Sequence, residues 1–183
     1  MKKVYSILFS ICLFSCSNHE KNSNFFENCN DSMLKLENGI EVTDSLNYFS
    51  YSIPDSSWHP ERFLDEKENG LTVGDTSEGY MKLFNVNQSD YTYDWNWDEE
   101  FKNVEKDFNV IEKGEILFQG ILRPYHIVLF EEESPEFYSF YLTYLDTIQK
   151  RQFTLNITVE GSSDYKARIC NMRPILESFK IKN

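Results

Sequence analysis

Residues 152–159 read Gln152-Phe153-Thr154-Leu155-Asn156-Ile157-Thr158-Val159, with Phe153, Leu155, Ile157 and Val159 in one alternating set and Thr154, Asn156 and Thr158 in the other. Successive strand side chains point to opposite sides of a sheet, so this spacing predicts a strand with one apolar, buried face. Working upstream, Phe137–Leu145, Tyr125–Glu131 and Glu115–Leu122 carry further strand-like runs, joined at Ser134-Pro135 and Arg123-Pro124. Four consecutive strands with short connections predict an antiparallel meander.

Helical spacing flanks the meander on both sides. Trp97, Phe101, Val104 and Phe108 fall at i, i+4, i+7 and i+11, behind Asn96 and Glu99 in capping-box positions. Tyr165, Ile169, Met172, Leu176 and Phe179 repeat at 4-3-4-3 near the cap-like Ser163-Asp164, in a helix that Pro174 strains or breaks. Nearer the N-terminus, Phe49, Tyr51 and Ile53 alternate with serines before Pro54, and Leu71–Asp75 and Tyr80–Val86 flank a hairpin loop at Thr76-Ser77-Glu78-Gly79. The expected fold class is α+β, a central antiparallel sheet of about six strands with two main helices.

Composition bounds the function. Of 183 residues, 40% are hydrophobic and 16% aromatic, with only seven Gly and five Pro, which describes a packed domain rather than a disordered chain. Thirty Asp and Glu against 18 Lys and Arg give a net charge of −12. Such a surface repels phosphate backbones, so nucleic acid is not an expected partner.

The first residues set an address. Lys2 and Lys3 precede an apolar run from Val4 to Phe14, the layout of a signal peptide over 1–15. Leu13-Phe14-Ser15-Cys16 resembles a bacterial lipobox, which implies lipidation of Cys16 and attachment to the cell envelope, with Ser17 pointing to the outer membrane of a Gram-negative cell. Residues 16–28 read as the lipidated Cys and a flexible tether, and 29–183 as one globular domain. Cys12 departs with the leader and Cys16 takes the lipid, so Cys29 and Cys170 are left to form a disulfide in an oxidising compartment.

The domain shows little chemistry. No G-x-S-x-G, P-loop, H-E-x-x-H or C-x-x-C motif occurs, and His19, His59 and His126 are scattered. His126 beside Tyr125 and Ile127 reads as a packed strand residue. The acidic runs Glu131-Glu132-Glu133 with Glu136, and Asp94 with Asp98, Glu99 and Glu100, lack the alternating layout of a calcium loop, so neither a metal nor a cofactor is expected. The most unusual stretch is Asp90-Tyr91-Thr92-Tyr93-Asp94-Trp95-Asn96-Trp97, whose alternating aromatics offer large contact area with hydrogen-bonding edges. Tyr91, Tyr93 and Trp95 are the candidate contact residues for a protein or a glycan. Asp31-Ser32-Met33, Asp44-Ser45-Leu46 and Asp146-Thr147-Ile148 resemble a short O-glycosylation acceptor pattern of exported bacterial proteins.

The order of elements adds a family resemblance. An early strand ending in Ile53-Pro54-x-x-x-Trp58, a mid-chain helix, long antiparallel strands, and a close on Ile175-Leu176-Glu177-Ser178-Phe179-Lys180-Ile181 resemble the PsbP/Mog1-like fold over Tyr48 to Ile181. The resemblance implies an α/β/α sandwich, no shared catalytic set, and a role in binding or assembly. The functional expectation is a membrane-tethered, non-enzymatic protein-binding or assembly module of the envelope. Its rivals are a glycan-binding accessory lipoprotein using residues 91–97 and a hydrolase built on an acidic pair such as Glu131 and Glu133.

Overall fold

A computed structural model describes residues 25–29, 33–66, 68–90, 97–131, 135–161 and 164–182. The run at 152–159 lies inside a strand, β9 (Arg151–Glu160), and the strands are β1 (Ile40–Thr43), β2 (Phe49–Ile53), β3 (His59–Leu64), β4 (Glu68–Asp75), β5 (Lys82–Asp90), β6 (Val110–Phe118), β7 (Ile121–Phe130), β8 (Phe137–Asp146), β9 and β10 (Lys180–Ile181). The helices are α1 (Trp97–Asp107), α2 (Tyr165–Asn171) and α3 (Arg173–Glu177), with a 3-10 turn at Phe25–Asn28. The predicted meander is present: the main sheet has the order β3-β4-β5-β9-β8-β7-β6, antiparallel throughout.

The sheet count is a correction. Among the described residues, seven strands rather than about six form the main sheet, and β1-β2-β10 form a second sheet of three, so the described part is mostly β with three helices. The added edge strand β3 is exposed at every position and holds Pro60, so it carries no alternation to read. β10 is only two residues long and exists because Lys180 and Ile181 pair with Ser50 and Phe49.

Arg123-Pro124, read as a turn, lies within β7, and the real turn sits at Gln119-Gly120, both with positive φ (50° and 79°). Two consecutive left-handed residues close a two-residue hairpin whose twist matches that of its strands. Pro124 is tolerated because it pairs with Glu115 of β6, while the β7–β8 ladder begins only at Tyr125. The C-terminal helix does break: Met172 separates α2 from α3, and Pro174 sits in the first turn of α3, where its missing N–H costs nothing.

The core fills the space between the main sheet and the layer of β1-β2-β10, α2 and α3. Phe84, Phe140, Phe153, Leu155, Ile157, Ile169, Met172 and Leu176 have no exposed surface. Phe25 and Phe26, placed by the sequence in the tether, also belong here: both are buried, with Phe25 5.6 Å and Phe26 5.4 Å from the Phe140 ring. Two adjacent Phe bury too much apolar surface to stay in solvent, so the domain begins at least four residues before Cys29. The Cys29–Cys170 disulfide is formed, with its Cα atoms 5.4 Å apart, and it ties this segment to α2.

Candidate functional site

The main sheet has a second, outward face, and its chemistry differs. One register row crosses all seven strands there: Glu61, Thr72, Asn85, Asn156, Tyr141, His126 and Lys113 are successive Cα partners. Every member is polar. Beside it, Thr158 donates to Asn156 Oδ1 (2.7 Å) and shares a hydrogen bond with Ser139 (2.7 Å), while Thr72 donates to Asn85 Oδ1 (2.9 Å).

Helix α1 and the residues after it roof part of this face. Val104 and Phe108, two members of the predicted helical stripe, close a cavity of about 190 Å³ whose floor is His126, Val128, Tyr141, Thr143 and Thr154. A second, more open cavity of about 240 Å³ adjoins it through Tyr141 and is lined by Met81, Phe130, Phe137, Ser139 and Thr158. Phe108 packs edge-on against Phe130, with ring centroids 6.2 Å apart, and fixes the join between α1 and β7. The two cavities meet at Tyr141 as one groove, and among the described residues that line it there is no Asp, Glu, Lys or Arg.

Its electrostatics are those of a neutral surface. His126 stacks on Tyr141 with centroids 5.0 Å apart and planes 16° from parallel. Burial pushes the imidazole down to about 4, so it is uncharged at neutral pH, one nitrogen donating and the other accepting. Burial also raises the Tyr141 phenol, opposed by hydrogen bonding with Ser139 and Asn156, which keeps it a hydroxyl. The Ser139 hydroxyl is engaged by Thr158. The groove therefore offers hydroxyls, an imidazole and aromatic walls, a set suited to holding a neutral polar ligand or a peptide segment.

A separate charged cluster lies at the other end of β5. Lys82, 1% exposed, sits 3.1 Å from both Asp75 and Glu78 and lies over the Trp58 and Tyr80 rings at 5.5 and 5.3 Å. Burial alone would raise the Asp75 carboxyl, but hydrogen bonds from Ser77 and Lys82 hold it below its ordinary value. The ammonium is thus paired with carboxylates and enclosed by rings, a structural role.

The residues singled out from sequence fall unevenly. Cys16, Tyr91, Tyr93 and Trp95 lie outside the described residues, although the aromatic run starts directly after Asp90, which pairs with Arg151 at the end of the sheet. Of the proposed acidic pair, Glu131 accepts a hydrogen bond from Asn109 (2.8 Å), and Glu133 lies outside the described residues. Asp44 and Asp146 each accept backbone N–H groups across a turn, from Leu46 and Phe49 and from Ile148 and Gln149. Among the described residues no group of three His, Cys, Asp or Glu side chains converges in metal-binding geometry. Sequence reasoning set His126 aside and passed over Tyr141, although the polar positions Ser139, Tyr141 and Thr143 of β8 and Thr154, Asn156 and Thr158 of β9, alternating with apolar ones, were the signal that marked this face.

No family model and no curated protein matches this sequence. Solved structures do match. The Ran-binding protein Mog1p of Saccharomyces cerevisiae superposes with a TM-score of 0.53 at 9% identity, over 78% of this chain and 95% of its own. The chain has a Mog1/PsbP-like fold. A point mutant of Mog1 gives a TM-score of 0.52, at 9% identity and with the same coverage. A Bacteroides thetaiotaomicron protein gives 0.50 at 15% identity, over 79% of this chain and 49% of that one, so this chain spans about half the length of that protein. At these identities the likeness is one of fold.

Proposed function

We propose that this protein is a non-enzymatic binding module, tethered to the cell envelope by lipid at Cys16, that holds a protein partner against the outward face of its main sheet. The observation that carries the reading is the neutral groove around the stacked His126–Tyr141 pair. It combines aromatic walls with hydroxyl and imidazole groups. Support comes from the fold it shares with a Ran-binding protein. The Asn- and Ser-rich residues 17–24 would span the gap between lipid and domain, and the aromatic run 91–97 would extend the contact surface past the end of β5.

Crosslinking in the native envelope, followed by affinity capture and mass spectrometry, tests this. One stoichiometric protein should be recovered with wild type and lost with Tyr141→Ala, which should stay folded and melt only a few degrees below wild type. Recovery of the same protein with Tyr141→Ala would place the contact elsewhere, and recovery of bulk envelope proteins alone from wild type would overturn the binding role. Cys16→Ser should move the chain from the membrane fraction to the soluble fraction; a chain that stays with the membrane would refute the tether.

A further inference from the structure

Strand β6 is an edge of the main sheet. It pairs with β7 on one side and, among the described residues, with no strand on the other. A free edge exposes a row of N–H and C=O groups that another chain can complete, and proteins commonly blunt it with proline or a short strand. β3, at the opposite edge, has Pro60 and six residues; β6 has nine and no proline.

The sequence of β6 is close to a palindrome. Val110-Ile111-Glu112-Lys113-Gly114-Glu115-Ile116-Leu117-Phe118 places two apolar residues at each end and opposite charges on either side of a central glycine. We propose that β6 pairs antiparallel with β6 of a second copy of this chain, about a two-fold axis passing through Gly114. In that register Lys113 faces Glu115 of the second copy and Glu115 faces its Lys113, so symmetry forms the ion pair twice. Ile111 and Leu117, 39% and 61% exposed, likewise face each other across the new ladder, twice over.

Lys113, Glu115 and Leu117 are partners of His126, Pro124 and Leu122 on the outward face, where the Lys113 side chain is 58% exposed and bridges to Glu105 of α1. Glu112 points to the other side, where it meets Lys166 and the Tyr125 hydroxyl. The irregularity between Val110 and Glu112 limits the new ladder to Glu112–Ile116, with Ile111 and Leu117 packing at its ends. Cross-strand pairs of like charge are destabilising, so reversing one sign should act on the association directly. Gly114 is unsuitable as a test position, because a Cβ there would approach the Tyr125 ring to 3.0 Å within the same chain.

Sedimentation equilibrium of the full chain over a concentration series reads the proposal. Wild type should show a reversible monomer–dimer equilibrium. Glu115→Lys should weaken it about tenfold by setting Lys against Lys at two places. The swap K113E/E115K, which restores opposite signs in the same register, should return the dissociation constant to near the wild-type value, with melting temperatures followed in parallel to separate association from folding. A wild-type chain that stays monomeric at every concentration overturns the proposal. So does a dimer indifferent to Glu115→Lys, or one that the swap fails to restore.

Discussion

Two adjacent register rows of the same sheet contrast sharply. Ile127, Phe140, Ile157, Phe84 and Val73 are partners across five strands, and none has any exposed surface. One residue away along the backbone, His126, Tyr141, Asn156, Asn85 and Thr72 are partners across the same five strands, and all are polar. The first row lies against β1-β2-β10, α2 and α3; of the second, His126 and Tyr141 line the groove beside α1. Because the side-chain period of a strand is two, a slip of one residue would exchange these faces, so burial of the first row sets the position of the second. One side of the strands is thus the packed core, and the other is the side proposed for recognition.

Experiments that break or sharpen this contrast can be ordered by expected size. Replacing Cys29 and Cys170 together by Ser should cost the most, because the bridge closes a sequence separation of 141 residues on the core side. The chain-entropy relation gives about 4–5 kcal/mol, measurable as a lower urea midpoint. Phe140→Ala should lose about 3–5 kcal/mol by leaving a cavity in the core, whereas Tyr141→Ala, its neighbour on the other face, should lose about 1 kcal/mol. Equal losses would refute the division of roles.

His126 gives the outward face its own pH signature. Its imidazole protonates at about 6.5 in the unfolded chain and at about 4 when folded, because burial disfavours the charged form. Between those values the unfolded chain binds more protons, so the stability contributed by the neutral ring is fully present above pH 6.5 and is lost as pH falls towards 4. The loss is on the order of 2–3 kcal/mol, and His126→Gln should flatten that part of the curve of unfolding free energy against pH. An unchanged slope in the variant would mean that the imidazole is not desolvated. The smallest effect is expected from Leu122→Ser, at a side chain 61% exposed on the β6–β7 hairpin. Its thermal midpoint should differ from wild type by less than about 0.5 kcal/mol in equivalent free energy.

The elements that could be read from sequence are those whose periodicity is enforced by burial. β9 shows it because every second residue enters the core. β3 could not be read, since both its faces are exposed, nor β10, whose two residues are a strand only because β2 is beside them. The turn at Gln119-Gly120 was masked by Arg123-Pro124, a stronger breaker signal that a one-sided ladder made harmless. On the groove side, His126 was visible in the sequence and set aside because nothing local distinguishes a packed histidine from one in a binding surface.

Alone, the amino-acid sequence determined the four-strand meander, the broken C-terminal helix and the Cys29–Cys170 pairing. Each follows from local periodicity, a breaker at a known position, or the count of cysteines within the expected domain. Only the tertiary structure decided that the main sheet has seven strands, that Phe25 and Phe26 belong to the core, and that His126, Tyr141 and Asn156 stand in one row beside a groove. Those facts depend on register between strands far apart in the chain, and register is set by the packing of the whole opposite face rather than by any residue's neighbours in sequence.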